Sequence, residues 1–74
     1  MVERVAKDVQ SRAHRALQNS PIYELRDLQI EQRNGTILVS GIVSSYYHKQ
    51  LAQELIRVIC QREQIELVNS IQVQ

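Results

Sequence analysis

The stretch that determines the fold is NGTILVSGIV, residues 34–43. Asn34-Gly35 is a strong hairpin signal, because both central residues of a type I′ turn need a positive φ. Successive side chains of the strand that follows point to opposite faces, and its inward set comprises Ile37, Val39, Gly41 and Val43. On the other side of the turn, Leu28 and Ile30 alternate with polar residues. The sequence therefore predicts two antiparallel strands joined by a tight turn.

Helical periodicity flanks this hairpin on both sides. Before it, apolar residues cover one arc of roughly 120°, which predicts an amphipathic helix that ends at Asn19-Ser20-Pro21. That arc comprises Val2, Val5, Ala6, Val9, Ala13, Ala16 and Leu17. After the hairpin, Ser44-Ser45 offers an N-cap hydroxyl for a second helix that extends to about Arg62. The buried stripe of this helix is expected to comprise Leu51, Ala52, Leu55, Ile56 and Ile59.

The remaining segments complete one small domain. Residues 22–27 are expected to form a short connector, with Ile22 and Leu25 tucked under the first helix. The last segment alternates again and predicts a third strand with inward Ile65, Leu67, Ile71 and Val73. The order is α-β-β-α-β, which predicts a two-layer α+β sandwich with two helices on one face of a three-stranded sheet. The crossover through the second helix makes the third strand parallel to the second. A chain of 74 residues forms a single domain, 1–74.

This pattern resembles the BON domain, a small bacterial module that is found in osmotic-shock and haemolysin-like proteins. The likeness covers nearly the whole chain, and residues 34–45 are its most specific part. It rests on Leu28-x-Ile30, Asn34-Gly35-x-Ile37-x-Val39-x-Gly41-x-Val43-Ser44-Ser45, Ala52-x-x-Leu55-Ile56-x-x-Ile59 and Asn69-x-Ile71-x-Val73. One departure is Arg62-Glu63-Gln64-Ile65, where the family often has Gly-Val before the third strand, so the end of the second helix is expected to run longer or turn differently.

The resemblance implies an α-β-β-α-β fold with a mixed sheet and a non-catalytic role in contacting phospholipids or protein partners, often at the bacterial envelope. No catalytic residues are known for the family, so none is transferred. Physical roles follow for the motif residues themselves. Gly35 supplies the positive φ of the turn, and Gly41 lets a helix approach the sheet closely. Asn69 has inward parity and is expected to cap or bridge backbone groups at the sheet margin.

Composition argues against several classes of function. The net charge of +1 and the absence of stacking aromatics from the predicted sheet disfavour a nucleic-acid binder. Neither His14 nor His48 has a cysteine or acid at metal-ligand spacing, so no metal or other cofactor is expected. Cys60 lies in an apolar run and is expected to be a buried thiol, roughly 18 Å along the helix from His48. No catalytic constellation is evident, and the chain is expected not to be an enzyme.

Three surfaces remain as candidates for binding. The first is the basic arc of the first helix, either a docking face for anionic lipid headgroups or a solvated face, and it comprises Arg4, Lys7, Arg12 and Arg15. The second is the entrance to the second helix, with Tyr46, Tyr47 and Lys49, where the alternative is that one tyrosine packs against the edge of the core. The third is an apolar patch on the outer sheet face, comprising Leu38, Ile42 and Val68.

Two functional hypotheses follow from these surfaces. The first is a non-catalytic BON-type module that contacts anionic phospholipid or an envelope protein through the first two surfaces. The alternative is a structural module that assembles with itself, as a weak homo-oligomer, or with another protein through the outer sheet face, without lipid binding. No stretch is long and apolar enough to span a membrane, and the N-terminus lacks the apolar core of a signal peptide. A complete protein would then be cytoplasmic, and a fragment of an exported parent periplasmic or envelope-associated.

Overall fold

The computed structural model describes the backbone of residues 2–74 and the side chains of residues 4–74. It has three helices and three strands in the order α1 (Val2–Gln18), α2 (Tyr23–Arg26), β1 (Gln29–Arg33), β2 (Thr36–Val43), α3 (Tyr46–Arg62) and β3 (Glu66–Val73). The two long helices cover one face of the sheet. The predicted α+β architecture and element order are therefore confirmed, with the one-turn helix α2 added in the connector.

The sheet has the strand order β1-β2-β3. β1 pairs with β2 in antiparallel fashion from Gln29↔Ser40 to Arg33↔Thr36. The turn between them has φ values of 52° at Asn34 and 79° at Gly35, as the predicted hairpin requires. β3 pairs with β2 in parallel at all eight positions, from Thr36↔Glu66 to Val43↔Val73. The mixed sheet expected from the crossover is confirmed.

The core between the helices and the inner sheet face is almost entirely aliphatic. The chain contains no Phe or Trp, and its buried side chains come from every long element. They include Val9, Ala13 and Leu17 of α1, Ile37, Val39 and Val43 of β2, Ala52, Ile56 and Cys60 of α3, and Ile71 of β3. Cys60 is a buried free thiol, as predicted. Val2, assigned to the apolar arc of α1, lies outside the residues whose side chains are described.

Two sequence-based expectations about the helices need correction. The connector holds a helical turn that the sequence pattern does not predict, while its Leu25 is completely buried, as expected. In α3, Leu55 is exposed instead of belonging to the buried stripe, while Leu51 and Ile59 are half-buried. Cys60 takes the buried place one turn after Ile56. The reason is geometric: α1 lies alongside α3 without covering the flank that carries Leu55.

Gly41 has a different neighbour from the one expected. It has a φ of +137°, and a Cβ atom built on it would lie 2.6 Å from Leu28 Cδ2 and 3.5 Å from Leu28 Cα. The close approach therefore comes from the residue that precedes β1, and no helix atom is among these nearest contacts. The expectation that Gly41 admits a helix is wrong, although its requirement for a residue without a side chain stands.

The end of α3, at residues 62–65, turns sharply into β3 without lengthening the helix. The helix ends at Arg62, Gln64 has a φ of +56°, and Ile65 N–H donates to Cys60 O at 2.9 Å. A second bond from Gln64 N–H to Gln61 O completes a Schellman motif. Gln64 thus occupies the left-handed position that usually holds glycine, so the helix is not lengthened.

A polar cluster fixes the start of α3 to α2. Ser45 is the N-cap, and its Oγ accepts a hydrogen bond from His48 N–H at 3.1 Å. The carboxylate of Glu24 accepts from Ser44 N–H at 3.0 and 3.1 Å and contacts His48 Nδ1 at 2.5 Å. These bonds, that from His48 above all, lower the pKa of Glu24. The entrance to α3 is therefore held in a defined position.

Candidate functional site

The two long helices form one broad surface, which we call the helical layer: the solvent-facing sides of α1 and α3. Arg12 of α1 reaches Glu63 just after the end of α3, whereas α2, which follows α1, contacts the start of α3 through Glu24 and His48. The two helices therefore run antiparallel side by side. This arrangement brings the basic arc of α1 and part of the entrance to α3 onto the same side of the molecule.

Three of the four bases of the α1 arc are free to face solvent. Arg4, Lys7 and Arg15 are exposed. Arg12 is half-buried, with its Nε 3.3 Å from Asp8 Oδ2 and its Nη2 3.4 Å from Glu63 Oε2. Its guanidinium links α1 to the residue after α3, so Arg12 contributes to helix packing and less to any external ligand.

Between α1 and α3 lies an apolar groove of about 470 Å³ that sequence reasoning missed. Its lining comprises Ala16 of α1 and Leu51, Glu54, Leu55, Val58 and Ile59 of α3. Val58 is 50% exposed, and Val5 of α1 is also exposed. The signal was present in the sequence, because residues 47, 51, 55 and 58 are spaced by four, four and three and form a second stripe beside the buried one. We call Tyr47, Leu51, Leu55 and Val58 the outer stripe.

The two tyrosines at the start of α3 are both exposed, Tyr46 at 73% and Tyr47 at 68%. The alternative in which one of them packs against the edge of the core is therefore wrong. Tyr47 belongs to the outer stripe. Tyr46 and Lys49 instead lie seven and four residues before Gln53, which is hydrogen-bonded to β3, so they share the other flank of α3. The predicted Tyr46–Lys49 surface is thus divided between two sides of the helix.

The outer face of the sheet carries the predicted apolar residues in two separate places. Leu38 and Val68 are direct partners in the β2–β3 register. Ile42, which is 55% exposed, lies opposite Gln72 and is separated from that pair by the row of Ser40 and Ser70. The three side chains therefore form an interrupted patch on an otherwise polar face.

Charge is distributed unevenly between the helices and the rest of the chain. The two long helices contain seven of the nine Lys and Arg residues and three of the eight Asp and Glu residues, a net charge of +4. The remaining segments therefore carry −3. The overall charge of +1 conceals this separation. On the helical layer this charge comes from the exposed bases Arg4, Lys7 and Arg15 of α1, because Lys49 and Arg57 lie on the flank of α3 next to β3. These bases attract an approaching anionic surface.

The thiol and the potential metal ligands of the described residues can be examined directly. Burial raises the pKa of the Cys60 thiol, which disfavours the reactive thiolate. Within residues 4–74, no group of three or more His, Cys, Asp or Glu side chains could hold a metal ion. None of the described helices is long and apolar enough to cross a bilayer.

Comparisons with known proteins gave no assignment: no family model matches the chain, and no significant match was found among curated proteins or solved structures.

Proposed function

We propose that this chain is a non-catalytic binding module of BON type that contacts an anionic phospholipid surface through its helical layer. One observation carries the proposal: the exposed bases of α1 and an exposed apolar groove lie on the same layer. The resemblance of residues 34–45 and 69–73 to the BON pattern supports the same function.

The electrostatic part comes from the exposed bases of α1. Arg4, Lys7 and Arg15 are available, and each base near an anionic membrane contributes about 1 kcal/mol. The rest of the chain carries a net charge of −3, which favours an approach with α1 toward the anionic surface. Three bases alone provide a weak and salt-sensitive attraction, so a second contribution is needed for stable docking.

That contribution comes from the groove and the outer stripe. Leu55 and Val58 are exposed beside Ala16, and Tyr47 stands at one end of the stripe. Removing half of a Leu or Val side chain from water stabilises binding by on the order of 1 kcal/mol. Tyr suits the boundary between headgroups and acyl chains, because its ring is apolar and its hydroxyl is polar. The layer would lie on the membrane without a helix entering it.

The first experiment is an amide NMR titration with nanodiscs that contain phosphatidylglycerol or only phosphatidylcholine. We expect shifts confined to α1 and to the outer stripe of α3, and only with the anionic lipid. Equal shifts with both lipids, or none with either, would refute the lipid-contact function.

Matched variants separate the helical layer from the rest of the surface. Val58→Asp and Ile42→Asp introduce the same charge at equally exposed aliphatic positions on opposite sides of the molecule. Arg15→Glu and Arg33→Glu reverse the charge of an exposed base, the first on the helical layer and the second on the sheet. In vesicle co-sedimentation, we expect the helical-layer member of each pair to bind more weakly than the sheet member. The reverse order would assign binding to the sheet.

A second candidate function is assembly through the outer sheet face. The observation in its favour is the direct pairing of Leu38 with Val68, on the same face as exposed Ile42. Sedimentation of the wild type against Leu38→Glu over a range of concentration tests it. Self-association that Leu38→Glu abolishes would support assembly, and a monomer in both cases would contradict homo-oligomerisation.

A further inference from the structure

The two edges of the sheet differ in how they are protected. β1 is five residues long and carries Glu31 and Arg33, and Gln10 of α1 donates to Ile30 O on its free side at 3.2 Å. β3 has eight residues in regular pairing with β2 and contains no Lys, Arg, Pro or Gly. Proteins commonly guard edge strands with charges, prolines, bulges or covering elements. Within the described residues, β3 pairs regularly without a bulge and carries a charge only at its first residue, Glu66.

The hydrogen-bonding groups on the free side of β3 can be identified. Gln74 N–H donates to Val43 O at 2.9 Å, so even-numbered residues direct their backbone groups toward β2. The backbone groups of Leu67, Asn69, Ile71 and Val73 therefore face outward. Ile71 N–H donates to Asn69 Oδ1 at 2.9 Å, an acceptor supplied by the same strand. The edge is thus a nearly complete template for another strand.

Helix α3 stands over this edge and forms a groove with it. The groove measures about 300 Å³, and Asn69 Nδ2 donates across its inner side to Gln53 Oε1 at 2.8 Å. Its apolar lining comes from Cys60, Ile65 and Leu67. The flank of α3 above it has Lys49, Gln53, Arg57 and Gln61 at intervals of four. Arg57 donates to Glu54 of the same helix at 2.9 and 2.5 Å, which offsets one of the two positive charges. A strand lying in the groove would therefore meet apolar side chains at its centre and a net positive charge on the α3 side, where Lys49 and Arg57 outnumber Glu54.

We infer that the β3 edge binds an extended acidic–apolar segment of a protein partner, which adds to the sheet as a fourth strand beneath α3. A bare extended peptide brings no helix and fits the groove. This surface is separate from the helical layer, so the inference does not rest on lipid binding.

The probe is a nine-residue peptide with blocked termini. Its second, fourth, sixth and eighth residues are Glu, Val, Val and Glu, whose side chains would face α3, and its other residues are Thr. It is titrated into the ¹⁵N-labelled full chain at millimolar concentration. We expect the largest shifts at the amides of residues 67, 69, 71 and 73, together with slower hydrogen exchange there. The same peptide with Lys in place of Glu should bind at least fivefold more weakly. No shifts at these amides, or equal binding of both peptides, would overturn the inference.

Backbone and protein variants test the strand-addition geometry. Two further peptides are N-methylated, one at both Val amides and the other at two Thr amides. Because alternate amides of an added strand face β3, one of these peptides should lose binding and the other should retain it. Equal effects of the two methylations would contradict strand addition. Leu67→Pro removes an outward N–H and no bond to β2, and should weaken binding severalfold compared with Leu67→Val. Val58→Asp, which tests the helical layer, should leave peptide binding unchanged.

Discussion

At Gln64 the chain adopts a backbone conformation that costs free energy. Its φ of +56° lies in the left-handed region, which disfavours residues with a Cβ atom, and this residue closes α3 through the Schellman bonds. Gln64→Gly should therefore raise the free energy of unfolding, by up to about 1 kcal/mol. Urea denaturation of the variant against the wild type measures the difference. Gln61→Gly, inside the helix, is the control and should be destabilising by a similar amount. A loss of stability in Gln64→Gly would contradict this account of the helix end.

Gly41 is the opposite case, since glycine is required there. An added Cβ would lie 2.6 Å from Leu28 Cδ2, and the φ of +137° is strained for any other residue. Gly41→Ala should lower the free energy of unfolding by about 1–3 kcal/mol. In a Leu28→Ala background the steric part disappears and the backbone part remains, so the cost of Gly41→Ala should fall without vanishing. An unchanged cost would place all of the strain in the backbone.

Among the elements, α2 depends on one titrating side chain for its attachment to α3. His48 and Ser44 hydrogen-bond to Glu24 and lower its pKa in the folded state below its unfolded value. Such a group stabilises the fold above its unfolded pKa, and that contribution is lost as the pH falls through the folded pKa. Stability from urea denaturation between pH 7 and pH 3 should therefore decline more steeply in the wild type than in Glu24→Gln. Parallel pH profiles would show that this carboxylate is not linked to folding.

The elements differ in how far the sequence predicts them. The hairpin and β3 are set by local rules: positive φ at Asn34-Gly35 and a period of two along the strands. α2 is missed because a single turn with one buried residue, Leu25, has no periodicity to detect. In α3, Leu51, Leu55, Ile56 and Ile59 fall on one broad arc. Which part of that arc is buried depends on where α1 packs, and that is a property of the tertiary structure.

The same limit applies to the candidate site. The sequence predicts the bases of α1 as a polar arc. Fewer of them are available to a ligand than predicted, because Arg12 forms ion pairs with Asp8 and with Glu63, a residue 51 positions away. The apolar groove exists only because Ala16 of α1 is too small to cover Leu55 and Val58. The separation of charge between the helices and the rest of the chain can likewise be counted only when the boundaries of the helices are known. The sequence therefore indicates half of the surface, and the packing of the two helices supplies the other half.

For the whole molecule, membrane docking should divide into a salt-sensitive and a salt-resistant part. Screening lengths fall from about 14 Å at 50 mM salt to about 5 Å at 400 mM, which weakens attraction to the exposed bases but leaves apolar burial intact. The wild type should therefore lose most, but not all, of its binding to phosphatidylglycerol vesicles over this range. A variant with Arg4, Lys7 and Arg15 changed to Gln should bind weakly and independently of salt. Val58→Asp should bind at low salt and lose all binding at high salt.

These three salt profiles separate the electrostatic from the apolar contribution, because each variant removes only one of them. They are measured by vesicle co-sedimentation, with Ile42→Asp as the control. Ile42→Asp carries the same added charge as Val58→Asp but places it on the sheet, at a similarly exposed position. It should therefore follow the wild-type profile, with a small loss from the added acid at low salt. If Val58→Asp and Ile42→Asp instead fall together at every salt concentration, the groove has no part in docking. The charge of the helical layer would then be the whole of the attraction.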